Sequence, residues 1–369
     1  MIYHTIIIGG GPAGLMAANV LEKHHINYVL LEKNEKCGKK LLLTGGRRCN
    51  VTNHLPVRDF IDTLTFKHKK FLYHALTQFG SKEVIDFFNL HGLELVLENG
   101  FKYFPKTEKS LSVLESLLKD LDDSHIKYQQ AVKEIHREDD YFKINTKTDT
   151  FYAKHVIVAV GSNSFPSTGS SGDGLIFAKH LNINYHDFTP AETHVYSEQV
   201  VNFFKALQGV SLSQKVVNIK QTKISYQGDL IFTHFGLSGP VIMHLSEFIY
   251  DEIYKNGQAT LEFSLIDMDK DNLLNYIIND TKQFIYKRLE SLTTKKILDV
   301  MMSYLNIENK KIAEMKKTEI IYKRILEIVQ DKLTCSVHNL DHAMRVHRLC
   351  LSIADNHALL GGQMAKEFL

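Results

Sequence analysis

Thr5-Ile6-Ile7-Ile8-Gly9-Gly10-Gly11-Pro12-Ala13-Gly14 is the stretch that decides the fold. Residues 5–8 are all β-branched, the composition of a strand buried on both faces of a parallel sheet. The glycines at 9, 11 and 14 follow at once, in the spacing Gly-x-Gly-x-x-Gly. Residues 15–24 then read as a helix, with Leu15, Ala18 and Leu21 on one face. Tyr28 to Leu31 is a second buried strand, and Glu32 closes it. Together these make one βαβ unit of about 30 residues.

Each part of that unit has a physical task. Gly9 permits the tight turn from strand to helix, Gly11 lets the backbone approach a pyrophosphate, and Gly14 lets the helix pack close to the sheet. The helix N-terminus offers free N–H donors and partial positive charge to phosphates. Glu32 is placed to accept hydrogen bonds from the adenosine ribose. Its carboxylate repels a 2′-phosphate, which argues against NADP at this site. Past Glu32 comes a second glycine-rich, basic loop, residues 38–53, with Lys39, Lys40, Gly45, Gly46, Arg47 and Arg48. A dinucleotide-binding dehydrogenase has no use for it. An extended FAD covered on the far side of its pyrophosphate does.

Working outward, 369 residues are too many for one ordinary core, so two or three domains are expected. Lys and Arg total 44 against 42 Asp and Glu, a net charge of +2 that gives no push toward nucleic acid or an acidic membrane. Four cysteines, none in a C-x-x-C pair, suit a reducing compartment. The N-terminus runs straight into a strand without the features of a signal peptide, and no apolar run is long enough to span a bilayer. The expectation is a soluble cytoplasmic protein. Residues 60–122 read as helical, broken at Gly80 and Gly92. Residues 142–145 and 150–153 read as a short antiparallel excursion, and 155–160 as a further buried strand closed by Gly161. Residues 190–265 read as short strands with glycine turns, and 270–330 as charged helices.

Several of these stretches resemble the YhiN/BaiN-type flavoproteins, the aminoacetone-oxidase-family FAD-binding enzymes. The resemblance is carried by residues 38–53, by Gly100-Phe101-Lys102-Tyr103-Phe104-Pro105, and by residues 160–162 with 166–174. It continues in Gly228-Asp229-Leu230-Ile231-Phe232-Thr233-His234-Phe235-Gly236-Leu237-Ser238-Gly239-Pro240. It covers roughly residues 1–320. It implies an α/β fold: a Rossmann-like FAD-binding domain with a parallel sheet in three layers (1–188), an inserted β-rich domain (189–266) and a small helical domain (267–320). It also implies that a flavin takes hydride from NAD(P)H and delivers it to an unsaturated or carbonyl substrate. Members are associated with small molecules, including steroid-like enones, and with uridine in ribosomal RNA, so the substrate class does not transfer. The candidate cofactor-binding residues are Gly9, Gly11, Pro12, Ala13, Gly14, Glu32, Lys33, Lys40, Gly46, Arg48, Cys49, Asn50, Val132, Gly161 and Asp173. No catalytic base, metal ligand or oligomeric state is assigned.

The chain departs from the family pattern at Arg47, where a small residue is usual, and at its end. The family's final stretch carries a glycine-acid motif and a double glycine that return to the FAD domain. Gly361-Gly362 lacks that surrounding pattern. The expectation is a flavin half-site short of one wall, an exposed edge at the 156–160 strand, and FAD held more weakly than in intact relatives while adenine-nucleotide binding persists. Residues 321–369 instead resemble the opening of an HD-type phosphohydrolase domain, in Val337-His338-Asn339-Leu340-Asp341-His342-Ala343-Met344-Arg345-Val346. No later His-Asp pair follows, so the segment reads as a helix with His338, His342 and Arg345 on one face, and no metal is expected. The end suggests a fusion, a truncation or an assembly error, and with it a remnant of impaired flavin chemistry.

A few side chains carry two readings each. Cys49 is either redox-active beside the flavin loop or a small packing residue. His234 is a general acid or a loop histidine held by hydrogen bonds. Asp173 binds the ribityl chain or caps the helix starting near Leu175. Lys67, Lys69 and Lys70, with Lys310, Lys311, Lys316 and Lys317, contact RNA or simply lie on solvated helix faces.

Overall fold

The structure, a computed structural model, describes residues 1–314 except 65–67, 221 and 281. His338, His342, Arg345 and the rest of 321–369 lie outside the described residues, as do Lys67, Lys316 and Lys317. The described chain divides between Phe188 and Thr189 into two units.

The first unit grows from the opening βαβ. Strand β1 (Ile2–Ile8) runs into helix α1 (Pro12–Lys23) and then strand β2 (Tyr28–Leu31). β1 and β2 pair in parallel, Thr5 opposite Tyr28 through Ile8 opposite Leu31. The helix begins at Pro12, three residues earlier than its apolar periodicity indicates. Proline at this position needs no N–H partner and has its φ already set for a helix. Leu15 and Ala18 on its inner face are fully buried.

The connection that follows holds β3 (Thr52–Asn53), α2 (Val57–Thr63), α3 (Tyr73–Gln78), α4 (Ser81–Leu90), β4 (Leu95–Glu98), β5 (Lys102–Pro105) and α5 (Ser110–Leu118). Here the all-helical expectation for 60–122 is corrected. β3, β5 and β4 form a three-stranded antiparallel sheet. Its hairpin turns at Asn99-Gly100, both with positive φ, the backbone that Asn-Gly accepts cheaply between two strands.

β6 (Ile126–Lys127), β7 (Glu134–Glu138), β8 (Tyr141–Asn145), β9 (Thr150–Val158) and α6 (Asp173–His180) complete the unit. The main sheet has the order β6-β2-β1-β9-β8-β7. β1, β2, β6 and β9 are parallel, and β7 and β8 add an antiparallel flank. The stretches read separately as 150–153 and 155–160 are one strand. β9 pairs with β8 only over Thr150–Ala153, whereas β1 runs beside it from Tyr152 to Val158. Among the described residues the distal half of β9 therefore has one neighbour, and Val158 is 44% exposed.

In the second unit β10 (Val195–Tyr196), α7 (Glu198–Phe203), β11 (Ser211–Ile219), β12 (Ser225–Phe232), β13 (Gly236–Ser238), α8 (Pro240–Asn256) and β14 (Leu261–Glu262) are followed by α9 (Lys270–Ile278), α10 (Ile285–Leu289) and α11 (Lys295–Tyr304). The strands form a five-stranded antiparallel sheet, order β10-β13-β12-β11-β14. The reading of 190–265 as short strands missed α8. Its Val241, Ile242, Leu245 and Ile249 are buried in one cluster with Leu230 and Phe232. That i, i+3/i+4 spacing is a helical stripe, bounded by Pro240 at the start and Gly257 in a left-handed conformation at the end.

Candidate functional site

A cleft of about 450 Å³ opens at the carboxyl ends of β1, β2 and β9, the usual ligand position in a parallel α/β sheet. The glycine loop forms its floor. A Cβ on Gly14 would fall 1.9 Å from the Gly9 carbonyl oxygen, so Gly14 is spent on close packing behind the cleft. Gly9, at φ +108°, makes the turn, and a Cβ there would lie 2.5 Å from the Ala159 carbonyl oxygen. Gly11 faces open space with nothing within 4 Å. It is also the N-cap of α1, with extended backbone and no side-chain cap. An uncapped helix start beside an open glycine is the arrangement an anionic phosphate occupies.

Glu32 is 6% exposed and fully engaged. Its Oε2 accepts the Gly10 N–H at 2.7 Å, and its Oε1 accepts the Asn34 N–H at 2.7 Å and Asn34 Nδ2 at 2.6 Å. Gly10, outside the glycine spacing, is thus a load point of the loop. A Cβ on it would sit 2.4 Å from Cys37 Sγ and 3.0 Å from Glu32 Oε2. Burial, helped by the Glu32 charge, pushes the Cys37 thiol up to about 12.

The far wall is the loop after β9. Lys33 Nζ donates to Ser171 Oγ and pairs with Asp173 Oδ2, both at 2.7 Å. Lys40 Nζ donates to the Ser164 carbonyl at 2.7 Å, and burial lowers its pKa. Asp173 does not cap α6. Gly172 is the N-cap, and Asp173 occupies the first helical position with its carboxylate turned to Lys33.

Ten of the candidate residues share this cleft: Gly9, Gly11, Pro12, Ala13, Glu32, Lys33, Lys40, Val132, Gly161 and Asp173. Residues 3–233 match the family model described as the HI0933-like protein Rossmann domain, and 189–331 match the one described as the HI0933-like protein barrel and H2TH domain. The chain belongs to the HI0933-like family. It is 29% identical over 268 residues to the 3-dehydro-bile acid delta(4,6)-reductase of Clostridium scindens, covering 70% of this chain and 64% of that one. Against the ribosomal RNA dihydrouridine synthase of Escherichia coli the identity is 23%, over 74% of this chain and 66% of that one. Against its Haemophilus influenzae counterpart it is 25%, over 86% and 78%. The chain thus spans slightly less than two thirds of the length of the first two relatives. Among solved structures, a closed cyclohexanone monooxygenase is similar over 43% of this chain and 26% of its own, at 20% identity and a TM-score of 0.28.

In this HI0933-like chain the remaining candidates fall outside the cleft. Cys49 and Asn50 line a second chamber of about 380 Å³, walled by Met16, Phe79, Phe87, Phe88 and Leu117 and sharing Pro12, Lys40 and Leu41 with the cleft. Cys49 is buried, which pushes its thiol pKa up and favours packing over redox chemistry. Gly46 is exposed, with open space around its Cα. Arg48, a cofactor-binding candidate, tethers its loop to the small sheet. Its guanidinium lies 4.6 Å over the Phe104 ring, pairs with Glu98 and sits 3.5 Å from Glu108. The sequence reading missed Gly10, Asn34, Ser164 and Ser171. Asn34 alone carried a signal, since an Asn two residues past a strand-ending acid readily bonds local backbone. In the second unit His234 packs edge-on to Phe235 at 4.7 Å, and His194 lies 4.5 Å from the same ring. Lys69 donates to the carbonyls of Asp62 and Leu64, which spends its ammonium within its own segment.

Proposed function

We propose that this chain is a flavin-dependent oxidoreductase that holds FAD at the glycine loop and takes electrons from NAD(P)H. The observation that carries the reading is Gly11, open to the cleft at an uncapped helix start, with an apolar chamber that shares Pro12, Lys40 and Leu41 with the cleft. A cleft that holds an uncapped helix start with Lys33 and Lys40, next to an apolar chamber, suits a ligand with a phosphorylated half and a flat aromatic half. Gly11, Pro12 and Ala13 would receive the pyrophosphate, and Val132 would line the adenosine end. Bound flavin supplies the hydride chemistry. The chain's part is to bind, to orient and, through Met16, Phe87 and Phe88, to keep water from the ring. A small unsaturated or carbonyl compound is the first substrate class, in keeping with the bile acid reductase relative. Anaerobic mixing of FAD-loaded protein with NADH or NADPH tests this: the flavin absorbance should bleach with one of them. Bound flavin that neither nucleotide reduces would oppose it.

A second reading is reduction of uridine in ribosomal RNA, favoured by the Haemophilus influenzae relative, whose similarity extends over 86% of this chain. Faster reoxidation of the reduced flavin by ribosomal RNA than by steroid-like enones would select it. No described helix is long and apolar enough to cross a membrane. The sparse cysteines, none in a C-x-x-C pair, support our proposal of a reducing, cytoplasmic compartment.

A further inference from the structure

We propose that Lys33 and Asp173 are positioning residues for the adenine-nucleotide half of the bound cofactor, their ion pair fixing the loop 161–172 as one wall of the cleft. This rests on the nucleotide reading of that cleft.

The loop has little structure of its own, a single 3-10 turn at Pro166–Thr168 between β9 and α6. What fixes it is a set of ties to the segment after β2. Lys33 Nζ bonds Asp173 Oδ2 and Ser171 Oγ, both at 2.7 Å, and Ser171 Oγ in turn donates to Asp173 Oδ1 at 2.9 Å. Asn34 Nδ2, already bonded to Glu32, reaches the Thr168 carbonyl at 3.3 Å. Lys40 Nζ holds Ser164. The approach is close. A Cβ on Gly169, itself at φ +98°, would fall 2.7 Å from Asn34 Nδ2 and 3.1 Å from Lys33 Cε.

The held loop contributes Thr168, Gly169 and Ser170 to the cleft surface. Lys33 thus directs its charge and two of its three N–H donors to Asp173 and Ser171. The pair is partly shielded, with side chains 28% and 24% exposed, and it closes a triad through Ser171, conditions under which an ion pair exceeds the usual surface value. Without it, the loop has to be ordered each time nucleotide binds, and that cost weakens affinity.

The test is calorimetric titration of ADP and of FAD into the full chain and into Lys33→Met, Asp173→Asn and the charge swap Lys33→Asp/Asp173→Lys. Each single change should raise both dissociation constants about fivefold, and the swap should recover most of the loss. Amide exchange should quicken at residues 161–172 in the single variants and stay unchanged at residues 9–14, a pattern that general destabilisation would not give. Tighter ADP binding in Asp173→Asn would mean that Lys33 is a phosphate ligand held in reserve, and it would overturn the proposal. So would unchanged affinities in both single variants, or a swap that rescues nothing. A parent chain that binds neither nucleotide overturns the flavin reading along with this one.

Discussion

The Glu32 carboxylate accepts the Gly10 N–H at 2.7 Å, so the acid that ends β2 fastens the glycine loop from beneath. Its other oxygen is held by Asn34. Glu32→Gln must then turn its amide –NH₂ toward either the buried Gly10 N–H or the part-buried Asn34 donors, whichever way it is flipped. Leaving such groups unpaired costs about 1–3 kcal/mol. The urea midpoint of the ligand-free variant should fall, and ADP binding should weaken with it. A ligand-free protein as stable as the parent would show that Glu32 serves the ligand alone.

Neighbouring glycines should respond in opposite ways. Gly11→Val meets nothing within 4 Å and has the extended backbone that valine accepts. It should keep the fold and lose nucleotide binding. Gly10→Ala drives a methyl into Cys37 Sγ and should destabilise the fold by about 1–3 kcal/mol through overpacking. Cys37→Ala in the same chain should recover part of that loss, a coupling that a double-mutant cycle reads directly. Additive effects would mean that the two side chains do not compete for one space.

That contrast shows how far the sequence reached. The βαβ unit was legible because its period, its glycines and its closing acid agree. The ranking of the glycines was not, since Gly10 matters through a thiol 27 positions later that no local pattern links to it. The three-stranded sheet was hidden because β4 and β5 are four residues each and β3 only two, too short to show a period of their own, although Asn99-Gly100 marked its turn. Helix α8 was hidden by the glycines on either side of it. Arg48 was read as cofactor-binding from its place in the glycine-rich, basic second loop. Its carboxylate partners, Glu98 and Glu108, come from a hairpin the reading did not contain.

Arg48→Ala should accordingly lower the thermal midpoint, by freeing its loop from Phe104 and Glu98, and leave ADP affinity within about twofold of the parent. A large loss of ADP binding at unchanged stability would return Arg48 to the cofactor.

The buried thiols give a pH-dependent expectation. With the Cys37 thiol pushed up to about 12, roughly one molecule in ten thousand carries its thiolate at about pH 8, and the thiolate is the reactive form. Cys37 and Cys49 should resist iodoacetamide in the native protein and react after denaturation, as peptide mass mapping would show. Rapid native labelling of Cys49 would revive a redox role beside the chamber.

The central claim is that the cleft at Gly11 takes the ADP half of FAD while the adjoining apolar chamber takes the ring. A fluorescence titration of the full chain with FAD, followed by competition with ADP, tests it most directly. The account predicts saturable one-to-one binding with altered flavin emission, reversed by excess ADP and abolished in Gly11→Val. FAD that does not bind, or that binds equally well to Gly11→Val and is untouched by ADP, would contradict it.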